Sequence, residues 1–246
     1  MEERTQIYGI RAVIEAINAE KSINKVLIQK GLQGSLVREL EKLVQQKGIS
    51  ASYVPVQKLN KLCSENHQGV VATISPIEFR PFEALVEEVL EKTKTPLFLL
   101  LDRVSDVRNF GAIIRTAECT GVSGIIIQNK GAAPVTADTV KTSAGAVFNV
   151  PIAKVAHLKD AIYYLQASGI QLVAASEKTE QSIYDLNFNG PTAIIMGSED
   201  SGISPSILKI ADHRGKLPML GSIDSLNVSV ACGIILYEVV RQRIKT

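Results

Sequence analysis

Apolar residues at positions 10, 13, 14 and 17 recur at three- and four-residue intervals, which sets Ile10, Val13, Ile14 and Ile17 on one face of a helix over 9–19. Residues 25–29 read as a short strand. Leu36, Val37, Leu40, Leu43 and Val44 predict a second helix over 36–46, with Gly48 as its C-terminal cap. Two further apolar segments, 51–54 and 69–74, complete a compact α/β unit. Pro76, Pro81 and Pro96 then bracket an acidic helical stretch, 82–94, and these breakers predict a linker.

From Pro96 onward the pattern changes. Continuous apolar runs at 97–101, 124–128, 171–175 and 192–196 alternate with helical stretches, as expected of parallel strands buried on both faces. The pattern predicts three parts: a domain over 1–76, a linker over 77–96 and a domain over 97–246. In open α/β sheets a ligand sits beyond the C-terminal strand ends, so those ends are where chemistry is sought.

Composition adds a few exclusions. Hydrophobic residues make up 46% of the 246, enough for a sizeable core. No apolar run approaches the roughly 20 residues that span a bilayer, and the first four residues lack a leader's basic-then-apolar order. A soluble, cytoplasmic protein without a membrane partner is expected. Cys63, Cys119 and Cys232 form no paired motif, and the three histidines have no ligand spacing, so neither a disulfide framework nor a metal site is expected. Cys119 and Cys232 read as small core residues. The net charge is +2, and residues 1–77 hold 10 basic against 7 acidic side chains. That excess suits phosphate contact but is equally that of an ordinary surface.

Three segments at strand ends carry candidate chemistry. The first runs from Asp102 to Gly111 and enters a helix over 112–120. Asn109 is a candidate N-cap, Gly111 would admit a substrate backbone, and Arg115 would lie one turn further on. A planar guanidinium there suits a phosphate or ribose oxygen. The structural alternative pairs Arg115 with Glu118 or Asp102. The second segment is Gly197-Ser198-Glu199-Asp200-Ser201-Gly202, followed by Ser204 and Pro205, which suit the start of a helix. Gly197 would admit a planar ligand and Glu199 would accept hydrogen bonds. The third starts at strand-like 215–217 and passes through a polar loop, Gly221 to Asn227, into a helix reaching Val240. That helix is apolar almost all round, which predicts burial on nearly every side, and Gly233 within it predicts tight packing.

In that order, Asn109-x-Gly-x-x-x-Arg115, Gly197-Ser198-Glu199-x-x-Gly202 and Pro218-Met219 through Ser225-Leu226-Asn227-Val228-Ser229 resemble the three motifs of the SpoU/TrmH family, in the SPOUT class of RNA methyltransferases. Tyr8-Gly9-Ile10-Arg11 and His67-Gln68-Gly69-Val70 resemble the L30e-like substrate-binding domain of many members, so the resemblance covers nearly the whole chain. It is nearest to the bacterial 23S rRNA guanosine-2′-O-methyltransferases. It implies an α/β catalytic domain, a parallel sheet with helices on both faces and a trefoil knot, preceded by the small L30e-like domain. Spacing alone would not suggest a knot, since chain connections almost never thread.

The resemblance further implies S-adenosyl-L-methionine as cofactor, RNA as partner, a homodimer, and methyl transfer to a ribose 2′-hydroxyl. Its catalytic positions fall here on Asn109, Arg115, Glu199, Ser225 and Asn227. Its cofactor positions fall on Gly197, Leu217, Met219, Leu226 and Asn227. An arginine at the position of Arg115 is the family's suggested base, although a guanidinium with a pKa above about 12 stays charged. One departure is Asp200, where this subgroup often has glycine. A tRNA substrate and a non-catalytic RNA-binding protein are the alternatives. Neither G-x-G-x-x-G nor G-x-x-x-x-G-K-[ST] occurs to support a nucleotide-dependent enzyme of another class.

Overall fold

The computed structural model describes residues 6–244. The first four residues, whose sequence argued against a leader, lie outside that range. The chain divides into two compact units. The first extends to Glu78 and includes the short segment Pro134–Thr136, and the second holds the remainder from Phe79.

In the first unit, β1 (Gln6–Tyr8), α1 (Ile10–Asn18), β2 (Ile23–Gln29), α2 (Ser35–Gln46), β3 (Ala51–Val54), α3 (Val56–Leu62) and β4 (Val70–Ile74) follow one another. The sheet order is β1-β4-β2-β3, with β2 and β3 parallel and β4 antiparallel to both neighbours. The predicted helix faces are the buried ones: Val13, Ile14 and Ile17 of α1 and Leu40 and Val44 of α2 meet Val26, Ile28 and Val70 in one core. Gly48 adopts φ +64° just past α2, a left-handed conformation open to glycine at little cost.

The second unit begins with α4 (Phe82–Lys92) and continues through β5 (Leu97–Asp102), α5 (Val107–Cys119), β6 (Gly124–Gln128), α6 (Ala137–Thr142), β7 (Ile152–Val155), α7 (Leu158–Ala167), β8 (Gln171–Ala175), β9 (Thr192–Gly197), α8 (Pro205–Leu208), β10 (His213–Gly215) and α9 (Val228–Ile244). The stretch expected as a linker contains α4, whose Phe82, Leu85, Val86 and Val89 belong to this unit's core. Its six strands are all parallel, in the order β10-β8-β9-β5-β6-β7. All six residues of β5 and of β9 are buried, which is why these segments read as unbroken apolar runs.

Four local expectations are corrected. Helix α5 begins at Val107 because Asp106, with its carboxylate accepting from the backbone N–H of Arg108 and Asn109 at 2.8 Å each, is the cap. Asn109 is therefore inside the first turn with its side chain released. Cys119 is exposed near the end of α5, whereas Cys232 is buried and its thiol is pushed up to about 12 by desolvation. Helix α9 is not buried all round: Cys232, Ile235, Leu236 and Val239 are, but Val230 is 50% exposed and Tyr237 55%. An added Cβ at Gly233 would meet Thr116 at 3.6 Å, an ordinary contact, so no close approach within this chain requires that glycine.

Candidate active site

Strands β5 and β9 lie side by side in register, so Asp102 and Gly197 end the two central strands at the same level. Each leads into a loop, and the two loops are tied together. Asp102, 1% exposed, accepts from the Ser204 backbone N–H at 2.7 Å and from the Ser204 hydroxyl at 2.5 Å. Its other oxygen accepts from Arg103 Nε at 3.1 Å, and Arg103 Nη2 donates onward to the Gly202 carbonyl at 3.2 Å. Arg103 holds φ +60°, an uncommon conformation for a residue with a side chain, and the neighbouring bonds keep it there. The sequence offered one signal for this clamp: an acid and a base directly after a wholly apolar strand.

Between these anchors the chain turns tightly. Gly202 donates to the Ser198 carbonyl at 2.9 Å, and the Ser198 and Ser201 hydroxyls lie 2.8 Å apart. A Cβ at Gly197 would fall 2.2 Å from Gly202 C and from Ile203 N. Gly197 is thus required by the turn folding back onto it, a different role from the expected approach of a planar ligand. Asp200 is exposed on this turn. Gly111 is similarly reassigned, since its added Cβ would lie 1.9 Å from Thr142 Oγ1 and 3.1 Å from the Ser143 nitrogen. It lets α6 pack on α5.

The turn carries Glu199 to α5, where its carboxylate accepts from the Asn109 side-chain amide. The Asn109 carbonyl oxygen accepts from Asn227 Nδ2 at 3.1 Å. Asn227 Oδ1 in turn accepts from the Ser229 N–H at 2.9 Å and the Ser229 hydroxyl at 2.6 Å, so Asn227 caps α9. One chain of side-chain bonds therefore joins Glu199 on the turn after β9, Asn109 in the first turn of α5 and Asn227 at the start of α9, three segments far apart in sequence. Each amide's orientation follows from its partners: nitrogen toward an acceptor, oxygen toward a donor. Arg115 is exposed on α5, with no hydrogen bond or ion pair among the described residues, and Asp102 is taken by Arg103 and Ser204. The structural pairings considered for Arg115 are not formed.

Three of the remaining predicted residues, Leu217, Met219 and Leu226, line a cleft of about 430 Å³. That volume lies in the range of small-molecule sites. Gly197 and Asn227 are not in its lining, and Ser225 is exposed on the loop between the cleft and α9. Local sequence pattern does not mark a further wall residue, Tyr184, on the short 3-10 turn Ile183–Asp185.

Residues 96–237 match the model of the SpoU rRNA Methylase family, and 6–80 match that of the RNA 2′-O ribose methyltransferase substrate-binding domain. The chain belongs to the SpoU methyltransferase family. Among SpoU relatives, the TrmH family protein YacO of Bacillus subtilis is 32% identical over 242 residues, covering 98% of this chain and 97% of its own. A TrmH family protein of Staphylococcus aureus is 36% identical over 241 residues, with the same coverage. The SpoU methyltransferase AviRb of Streptomyces viridochromogenes, solved with AdoMet, superimposes with a TM-score of 0.63 at 26% identity, covering 98% of this chain and 91% of its own. An AdoMet-bound rRNA methyltransferase of Sinorhizobium meliloti gives 0.62 at 27%, covering 96% and 87%. This chain is therefore a SpoU-family methyltransferase with the family's parallel sheet and its N-terminal substrate-binding domain. No helix among the described residues is long and apolar enough to cross a membrane.

Proposed function

We propose that this methyltransferase acts on RNA at a ribose 2′-hydroxyl, with S-adenosylmethionine as methyl donor and a guanosine of 23S rRNA as target. The observation that carries the reading is the Glu199–Asn109–Asn227 amide chain, set beside an apolar-walled cleft, with the uncommitted cation Arg115 on the same helix as Asn109. The cleft fits the donor in kind: its volume suits a small molecule, and Leu217, Met219 and Leu226 supply apolar contact for a base. The donor supplies an electrophilic methyl on a sulfonium. Transfer breaks the bond from sulfur to methyl, forms one from O2′ to methyl, and releases the 2′-hydroxyl proton.

The chain's own residues supply alignment and charge. Asn109 and Asn227 fix one another and hold Glu199 on its turn. Alignment of this kind is worth roughly 7–11 kcal/mol in well-oriented reactions. Glu199, or a water that it holds, receives the proton. Arg115 stays cationic, binds the phosphate next to the target ribose and stabilises the developing alkoxide. Single-turnover rates against pH for Arg115→Lys separate this role from that of a base. A fork-shaped clamp predicts a collapse in rate, whereas retained activity with a profile shifted to lower pH would overturn it.

Substrate choice rests on the N-terminal unit and on the relatives. The Sinorhizobium meliloti protein is named an rRNA methyltransferase, while an Aquifex aeolicus relative at 35% identity, with a TM-score of 0.58 over 67% of this chain and 83% of its own, is named a tRNA modifying enzyme. Mass-spectrometric mapping of 2′-O-methylation in a deletion strain decides between them. A lost 23S rRNA guanosine mark is expected, and loss confined to tRNA would refute the rRNA assignment. The enzyme acts in the cytoplasm, where its RNA is.

Two architectural features belong to the same reading. The unit is knotted: residue 216 bridges to 182 before the chain reaches α9, and Arg243 of α9 donates back to the carbonyls of Thr95, Phe188 and Gly190, which supports threading through an earlier loop. Single-molecule extension of the unfolded chain tests this, with a contour shorter than the residue count expected and full extension refuting it. A second copy covers α9, where Val230, Ile234 and Tyr237 form an exposed apolar stripe at helical spacing. Sedimentation should give a dimer that Ile234→Glu dissociates. A wild-type monomer would exclude it.

A further inference from the structure

The cleft lining contains no charged side chain; its members are apolar apart from Ser222 and the hydroxyl of Tyr184. A zwitterionic amino-acid end would find no counter-charge in such walls, and desolvating it there would cost more than apolar contact returns. A flat, weakly polar base has the opposite preference. Asn109 and Glu199, the polar groups of the candidate site, lie outside the lining.

Tyr184 is the one aromatic residue in that lining, and its position is fixed from both sides. Its own N–H donates to Ser182 Oγ at 3.3 Å. The next bond back, Ile183 N–H to the Lys216 carbonyl at 2.8 Å, and the return bond, Lys216 N–H to the Gln181 carbonyl at 2.9 Å, strap the turn to the start of the opposite wall at Leu217. Ile183 is fully buried beneath it. Tyr184 as a residue remains 45% exposed, and no hydrogen bond among the described residues engages its hydroxyl. A tyrosine on a backbone strapped this firmly, its side chain half uncovered beside the cleft, is placed for a planar partner.

We propose that Tyr184 is the base-stacking wall of the cofactor cleft, packing its ring on the adenine while Leu217 and Leu226 close the other side. This rests on the reading that the cleft holds S-adenosylmethionine. Stacking of a base on an aromatic side chain is sequence-tolerant and strong enough to matter in water. It would set the purine end of the cofactor inside and leave its sulfonium toward Glu199 and Asn109.

The test is calorimetry on the full-length protein with three probes: S-adenosylhomocysteine, 5′-methylthioadenosine, which lacks the amino-acid end, and methionine. Tyr184→Ala should weaken the first two by about tenfold to a hundredfold. Tyr184→Phe, which keeps the ring, should bind within twofold of wild type. Methylthioadenosine should bind wild type measurably and methionine should not. Wild type that binds no probe overturns the functional reading itself. Wild type that binds, with Tyr184→Ala unchanged, overturns only the stacking role. Should Tyr184→Ala lower the thermal midpoint, Tyr184→Leu keeps apolar bulk without the ring and must show the same loss.

Discussion

Removing the Asp102 carboxylate should release the turn that carries Glu199, and the size of the effect follows from the bonds it makes. Asp102 is buried, and its carboxylate accepts from the Ser204 N–H, the Ser204 hydroxyl and the Arg103 guanidinium. In Asp102→Ala the hydroxyl and the guanidinium turn to water, since Arg103 is 42% exposed on its side chain. The Ser204 N–H is worse placed, at a half-buried residue next to the fully packed Ile203. A hydrogen bond to a charged group contributes about 1.5–3 kcal/mol, and an orphaned buried donor costs about 1–3 kcal/mol. The turn should therefore open more easily by about 3 kcal/mol. Local opening is read by amide hydrogen exchange at Gly202 and Ser204, where a tenfold change is about 1.4 kcal/mol. Exchange there should rise by about two powers of ten in Asp102→Ala, and by less in Asp102→Asn, which keeps one acceptor oxygen. Protection unchanged within about threefold would refute the clamp.

Other consequences are as direct. Gly197→Ala puts a methyl 2.2 Å from backbone atoms that cannot step aside, so cofactor binding should fall below detection by calorimetry with the first unit's unfolding unaffected; retained affinity refutes the reassigned role. Gly111→Ala collides with Thr142 and should cost about 1–3 kcal/mol in urea unfolding, partly restored by Thr142→Ala, whose coupling a double-mutant cycle measures. Burial lowers the Lys154 ammonium from 10.5 to about 8, with the Phe79 ring 3.7 Å away. The unfolded chain therefore keeps its proton longer, and stability should rise as pH climbs from about 8 toward 10.5. Lys154→Met should remove that rise and be the more stable protein at pH 7, and a wild-type slope surviving in the variant would refute the assignment.

Much of the second unit was legible because its central strands are buried on both faces and its helices carry short amphipathic repeats. The runs at 97–101, 124–128, 171–175 and 192–196 all became strands. Segment 152–155 was not recognised, because its apolar run is four residues long and holds Lys154. For the site, the motif order named Asn109, Glu199 and Asn227, but only the fold shows that they touch. Their separations of 90 and 118 residues leave no mark in local pattern. The cap of α5 was misjudged for a similar reason. Asp106 and Asn109 both suit a cap, and the choice fell to Asp106 because Asn109 is drawn to Glu199. Tyr184 was invisible because an isolated aromatic in a polar loop reads as surface until the Lys216 segment is laid beside it.

The amide chain also has a meaning in time. Asn109 leaves the ribosome long before Glu199, and Glu199 before Asn227, and the chain of bonds that joins them closes only when the last has arrived. Contacts so distant in sequence form late, after the strands that bring them together have paired. The amide that completes the chain also caps α9, so docking of that helix and closure of the Glu199–Asn109–Asn227 chain are a single event. A nascent or partly folded copy in which α9 has not docked lacks the Asn109–Asn227 bond, however much of its sheet is in place.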